Sequence, residues 1–284
     1  MGNAAHGEPP EHEVYSKPFK VEPQFTFVDT PSNYRRFPDG EKLPDEMKVW
    51  NVQNTDKSYG SVVSRSYGFT DSPDTEIIAL GVNSGKEYGA IGIGRHGNIL
   101  QWGYWAPPSK MTEAGQVLFI NCICYIKKFD DKATLVRRSS SHRMNAIRLA
   151  ALINKIDDEE FFSGTFTKEL KKKYDGDPNG LVKYYRDDFE LIYRDRQFHI
   201  DVELKSLGFN SNRDLDTLEG LISLLKDDEQ ADLAKMLLSR YTNQSFRNHQ
   251  QWQNWFEESK ERIYFSDVGG YKFLVVPEGY LWIK

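Results

Sequence analysis

From Val117 to Ile126 every residue except Asn121 is apolar. Thr112 stands where an N-cap oxygen takes up the free N–H groups of a helix start. Glu113 falls in the positive first turn, and Lys127 and Lys128 fall in the negative last one. The spacing therefore predicts a helix with well-signalled ends. A helix that is apolar on nearly every face is not tolerated on a surface in water, so it is expected to be buried against the sheet that precedes it.

Phe25 to Trp105 supplies that sheet. Short runs rich in β-branched and aromatic residues occur at Phe25 to Val28, Met47 to Val52, Tyr59 to Tyr67, Glu76 to Val82, Tyr88 to Ile93 and Asn98 to Trp105. Asp39-Gly40, Asn83-Ser84-Gly85 and His96-Gly97-Asn98 punctuate them with residues that tolerate positive φ and close turns. Gly92-Ile93-Gly94-Arg95-His96-Gly97 also has the G-x-G-x-x-G spacing of a dinucleotide loop. Such a loop needs a helix N-terminus behind it to offer free N–H groups to phosphate, whereas Asn98 to Trp102 reads as another strand. A glycine-containing β-hairpin is expected instead. Gly81 to Lys86 falls one residue short of a P-loop, and Glu87 stands where the magnesium-binding hydroxyl belongs, which excludes a nucleoside triphosphatase.

Residues 1–24 hold Pro9, Pro10, Pro18 and Pro23 and read as an extended arm without visible chemistry. Asp130-Asp131-Lys132 makes a polar break, beyond which the pattern turns mostly helical. Ser141 is expected to cap a helix from Ala146 to Ile156, Thr165 or Thr167 to open one to Tyr174, and Asp177-Pro178 to start one running to about Arg194. Ser211 opens Leu215 to Leu225, Asp227 or Asp228 opens Ala231 to Tyr241, and Asn248 opens Trp252 to Ile263. Tyr264-Phe265, the turn Asp267 to Gly270 and Tyr271 to Val276 read as a terminal β-hairpin. A chain of 284 residues, at about 150 per domain, holds about two domains. The expected organisation is the arm over 1–24, a sheet-and-helix domain over 25–130 and a helical domain with a hairpin over 131–284, of α+β class.

Thirty-seven basic against forty-two acidic residues leave a net charge of −5, which argues against non-specific nucleic-acid binding. The chain shows no run of about 18 apolar residues, so no membrane partner is expected. Residues 1–15 carry no basic flank or apolar stretch, and a cytoplasmic location is expected. Cys122 and Cys124 point to different faces of one helix, which rules out a disulfide framework. The histidines at 6, 12, 96, 142, 199 and 249 show no metal-ligand spacing, and neither metal nor cofactor is expected. Asp175 to Gly180 resembles the start of an EF-hand loop, but Arg186 replaces the bidentate carboxylate at its last position. Asp157 to Glu160 reads as a solvated charge run.

Two places offer chemistry. Arg95, His96 and Asn98 lie on a tight turn beside Trp102, Tyr104 and Trp105, a combination that can form a ligand platform of apolar ring faces and hydrogen-bonding groups. Ser139-Ser140-Ser141-His142 puts hydroxyls and an imidazole at a helix start, although a serine cap beside a solvent-exposed His is the plainer reading. The candidate ligand-binding residues are thus Arg95, Asn98, Trp102 and Trp105, and the candidate bases are His96 and His142.

The run EYGAIGIGRHGNILQWGY from Glu87 to Tyr104, followed by the helix through Phe119-Ile120-Asn121, resembles the closing part of ThuA-like domains, relatives of class I glutamine amidotransferases. The resemblance implies a layered α/β domain. It does not imply glutaminase chemistry. The units that bear the nucleophilic cysteine have no counterpart before residue 12, and Gly103-Tyr104 replaces the Gly-His common after the last strand. Residues 211–262 are similar to HEAT-type helix pairs, which implies protein contacts. The leading expectation is a non-catalytic module binding a small molecule, a carbohydrate or a protein. The alternative is a hydrolase of carbohydrate or ester substrates that uses His96 or His142 as base.

Overall fold

Antiparallel strand pairing and one capped helix organise the N-terminal part of the chain. The computed structural model describes residues 4–6, 12–37, 39–55, 64–83, 85–136, 140–153 and 163–280. They divide into two compact units, one running to Leu135 and one beginning at Val136. The fold is α+β.

The first unit holds two three-stranded antiparallel sheets. One has the order β1 (Ala4–His6), β3 (Glu46–Asn51), β2 (Phe25–Asp29), and the other runs β4 (Thr75–Leu80), β5 (Ile91–His96), β6 (Ile99–Trp102). The glycine-rich segment is a hairpin: Ile93 pairs with Trp102 and His96 with Ile99 around Gly97, whose φ is +56°. A Cβ at Gly97 would lie 2.7 Å from the Lys132 carbonyl oxygen, so glycine answers both the backbone angle and the close approach. No phosphate-binding helix follows it. Helix α1 (Glu113–Ile126) begins as its residues dictate, with the Thr112 side chain accepting from Gly115 N–H at 3.0 Å.

Three expectations are corrected here. The arm is not a loose extension: Ala4–His6 adds a strand to β3, and Val14 and Val21 are buried in the core with Trp50, Ile78, Ile93, Leu118 and Cys122. Helix α1 is not buried all round: Ile120 and Ile123 are about half exposed, and its buried face carries Gly115, Leu118, Asn121, Cys122 and Tyr125. Most of the expected strand Tyr59 to Tyr67 lies outside the described residues, and Ser66–Phe69 is a 3-10 turn.

The second unit contains α2 (Met144–Ala150), α3 (Lys168–Lys173), α4 (Pro178–Asp187), α5 (Val202–Ser206), α6 (Leu215–Leu224), α7 (Ala231–Tyr241) and α8 (His249–Ser259). Its hairpins are β7 (Ile192–Arg194) with β8 (Phe198–Ile200), and β9 (Ile263–Ser266) with β10 (Lys272–Val275). Apolar stripes of α6 and α7 close one core through Leu218, Leu221, Ile222, Leu237 and Tyr241. The caps Thr167, Asp177 and Asn248 each accept an N–H from the first turn of their helix. Ser141 does not cap α2; Arg143 occupies that position, and the His142 ring accepts from Met144 N–H at 3.1 Å. Helix α4 ends at Asp187 rather than near Arg194 because the carbonyls beyond it are taken. Arg143 donates to Phe189 O, and Asn212 donates to both Glu190 O and Ile192 O. Helix α8 likewise stops at Ser259, ahead of β9. Residues 154–156 of the expected first helix, Ser139, and the run Asp157 to Glu160 lie outside the described residues.

Candidate functional site

Register decides what the hairpin residues can do. Glu76 of β4 pairs with Arg95 of β5, and Thr75 pairs with His96. Neighbours on a strand face opposite ways, so Arg95 and His96 do not converge. Arg95 is buried: its Nε donates to Glu76 Oε2 at 2.8 Å, its Nη1 donates to Gly97 O at 2.7 Å, and its guanidinium lies 3.8 Å from the Phe129 ring centre. Glu76 also accepts from the Tyr125 hydroxyl at 2.5 Å and faces His12 Nε2 at 3.7 Å. Burial alone would raise the Glu76 pKa, but donors from His12, Arg95 and Tyr125 outweigh it and hold the carboxyl at about 2. Arg95 of the hairpin and Tyr125 of α1 thus meet on Glu76, which ties hairpin to helix, and Arg95 is no ligand-binding surface group.

His96 lies on the other side with Asp74. Its Nε2 is 3.4 Å from Asp74 Oδ1, and that buried carboxylate also accepts from the Ser72 hydroxyl and from Leu135 N–H at 2.9 Å. Burial opposes ionisation of Asp74, yet the donors win and keep its pKa below the usual value. The imidazole thus has a carboxylate within reach, as a base would need. The Ser72 hydroxyl beside it points at the carboxylate instead of the ring, so Ser72 is not placed as a nucleophile for this imidazole. Asn98 donates weakly to Asp130 O at 3.4 Å. Trp102 packs edge-on between Phe119 and Tyr104 at 5.0 and 5.4 Å, whereas Trp105 is 68% exposed. The five candidates of this hairpin region, Arg95, His96, Asn98, Trp102 and Trp105, do not form one site.

His142 belongs to the second unit and is buried, not exposed. Burial pushes its imidazole down to about 4, against the pull of Asp267, whose Oδ2 is 3.4 Å away. Asp267 in turn takes a two-pronged ion pair from the fully buried Arg143, at 2.7 and 2.8 Å. Arg143 continues to Asn212, which contacts the Tyr241 hydroxyl; that hydroxyl and Arg240 both donate to the buried Asp201. Satisfied donors and acceptors throughout make this a polar spine of the helical core. It leaves His142 without an open approach.

A concave feature lies elsewhere in the first unit. A groove of about 460 Å³ is lined by Lys20, Glu22, Gln24, Asn51, Asn54, Thr112, Glu113, Ala114 and Val117. Three elements position it. Asn121, the one polar residue of the apolar helix segment, is fully buried and holds the arm: its Oδ1 accepts from Phe19 N–H at 3.2 Å, and its Nδ2 donates to Phe19 O and Val14 O at 2.6 and 2.7 Å. This sets Lys20, Glu22 and Gln24 along one wall. The Thr112 hydroxyl donates to Asn51 O at 2.8 Å, tying the helix start to the end of β3, and Asn54 N–H donates to Lys110 O at 2.8 Å. Gly115 permits this closeness, because a Cβ there would stand 2.0 Å from Val52 O. Lys20 and Glu22 pair at 2.8 Å in full solvent contact. The amides of Gln24, Asn51 and Asn54 are exposed and project from this frame.

Sequence reasoning passed over the groove because one wall of it, Lys20, Glu22 and Gln24, comes from the arm. Asn121 was the available signal: a polar residue in an apolar helix needs partners, and backbone from a distant segment supplies them. Among the described residues no group of three or more His, Cys, Asp or Glu side chains could hold a metal ion. No described helix is long and apolar enough to cross a membrane. The chain matches no family model, no curated protein and no solved structure.

Proposed function

We propose that the protein is a non-catalytic binding module whose groove takes a small hydroxyl-rich molecule of the carbohydrate class. One observation carries the reading: three amide side chains, Gln24, Asn51 and Asn54, share a groove with the Lys20–Glu22 pair. Amides offer a donor and an acceptor side by side, matching a hydroxyl that also does both. The groove lining contains no histidine, serine or cysteine, while His96 and His142 face carboxylates outside it. The likeness of 87–126 to the closing part of ThuA-like domains and of 211–262 to HEAT-type pairs belongs to the same proposal. It gives a sheet-and-helix unit that binds and helix pairs that meet a protein partner.

The test is a thermal-shift panel of mono- and oligosaccharides on the wild-type chain and on Asn54→Leu and Gln24→Leu variants, run beside a carbohydrate-hydrolase and esterase screen. Stabilisation by a sugar that both variants lose, with no turnover, supports the reading. Turnover that disappears in His96→Ala would replace it with the hydrolase alternative. That alternative keeps one supporting observation, the 3.4 Å approach of His96 to Asp74.

A further inference from the structure

Strand β2 is the outer strand of its sheet, paired with β3 on one side, and all five residues from Phe25 to Asp29 are exposed. Register tells which of its backbone groups face the open edge. Thr30 N–H donates to Asp45 O at 2.7 Å, so that facing pair is a hydrogen-bonded one. Alternation along an antiparallel ladder then makes Val28/Met47 and Thr26/Val49 the next bonded pairs. Phe25, Phe27 and Asp29 consequently aim their N–H and C=O groups away from β3.

Proteins normally blunt such an edge with proline, a bulge or a covering segment. Among the described residues strand β2 has none of these: its sequence is FTFVD, its pairing with β3 is regular, and Phe27 is 64% exposed. Charge selects the occupant. Lys48 holds its ammonium 4.5 Å over the Phe25 ring. Asp29 sits directly across from Glu46, and both are exposed, a like-charge facing pair that costs stability in a lone sheet.

We infer that β2 pairs antiparallel with β2 of a second copy of this chain, about a two-fold axis through Phe27. In this register Phe27 faces its equivalent, and Phe25 of each copy faces Asp29 of the other. All are outward-facing residues, so each facing pair exchanges two N–H···O bonds. Asp29 then arrives beside the Lys48 ammonium that lies over Phe25, an opposite-charge contact between the two copies. The edge is thus self-complementary in backbone and in charge, as a two-fold interface requires. This inference is independent of what fills the groove.

Sedimentation velocity and backbone hydrogen exchange on the full chain, from about 1 μM to about 1 mM, test it together. The expected result is a mass rising to twice the 32.9 kDa of one chain. In parallel the Phe25, Phe27 and Asp29 amides gain protection with concentration, while those of Thr26 and Val28 are protected throughout. Asp29→Lys and Lys48→Asp should each weaken dimerisation about tenfold or more, and the double exchange should restore it. Phe27→Pro, which removes an outward N–H and no β3 bond, should abolish it in a folded chain. A chain that stays monomeric over this range overturns the inference. So does a dimer that survives Phe27→Pro, or protection of the edge amides only when another protein's extended segment is added.

Discussion

Replacing Asn121 by alanine tests how the arm is held, and with it the wall of the groove. The side chain is fully buried and makes three hydrogen bonds to arm backbone, two to Phe19 and one to Val14. Phe19 lies at the surface, so water replaces its two bonds and each loses only about 0.5 kcal/mol. Val14 is fully buried, and its carbonyl left without a donor costs about 1–3 kcal/mol. The total of about 2–4 kcal/mol falls on opening of the arm, because the second unit shares none of these groups. Hydrogen exchange reads it locally. The Val21 amide, which donates to Tyr15 O at 2.9 Å, should exchange about 30- to 700-fold faster in Asn121→Ala, with amides of α6 and α7 unchanged. Asn121→Asp keeps the acceptor for Phe19 N–H but sets a carboxylate against two carbonyls, and should open the arm as far or farther. Unaltered exchange at Val21 in both variants would refute the reasoning that this one side chain docks the arm.

Other outcomes follow from the same geometry. Glu76, depressed to about 2 from an ordinary 4.5, contributes stability above pH 4.5 that is lost as pH falls toward 2; Glu76→Gln should flatten the acid limb of first-unit stability, and an unchanged limb would contradict the tie between hairpin and helix. His142, lowered to about 4 from 6.5, is neutral in the folded state, so its contribution is complete above pH 6.5 and lost on the way down to 4. NMR titration of its ring should show no charging above about pH 5. Gly97→Ala at φ +56°, with Lys132 O in the way, should cost about 1–2 kcal/mol or more in thermal denaturation, where a harmless substitution would argue against the hairpin turn.

Residue chemistry explains which parts of this fold are legible in its sequence. The Gly97 turn, the Thr112 and Asn248 caps and the stripes of α6 and α7 are local signals that tertiary contacts reinforced. Strands β7 and β8 were invisible as helix continuation, since three-residue strands show no period. Their turn is made by the Asp195 side chain accepting from Arg196 and Gln197 N–H, without glycine. The early stop of α4 depends on donors from Arg143 and Asn212, residues remote in sequence. Burial was misjudged in both directions. Arg95 looked like a surface group but found Glu76 and the Phe129 ring, and Ile120 and Ile123 looked like core but face outward. Of the candidate site residues, His96 met its carboxylate across a strand pair, His142 joined a core network, and Trp105 alone among the tryptophans considered stayed at the surface. The groove needed the arm's path, which no pattern within residues 1–24 discloses.

The binding assignment is tested most directly by mapping backbone and side-chain amide chemical shifts of the full chain during titration with the sugar that stabilises it best. The account predicts saturable shifts confined to Lys20, Gln24, Asn51, Asn54 and Thr112, unaffected by His96→Ala. Shifts centred on His96, Asp74 and Asn98, or no shifts with any sugar, would contradict it.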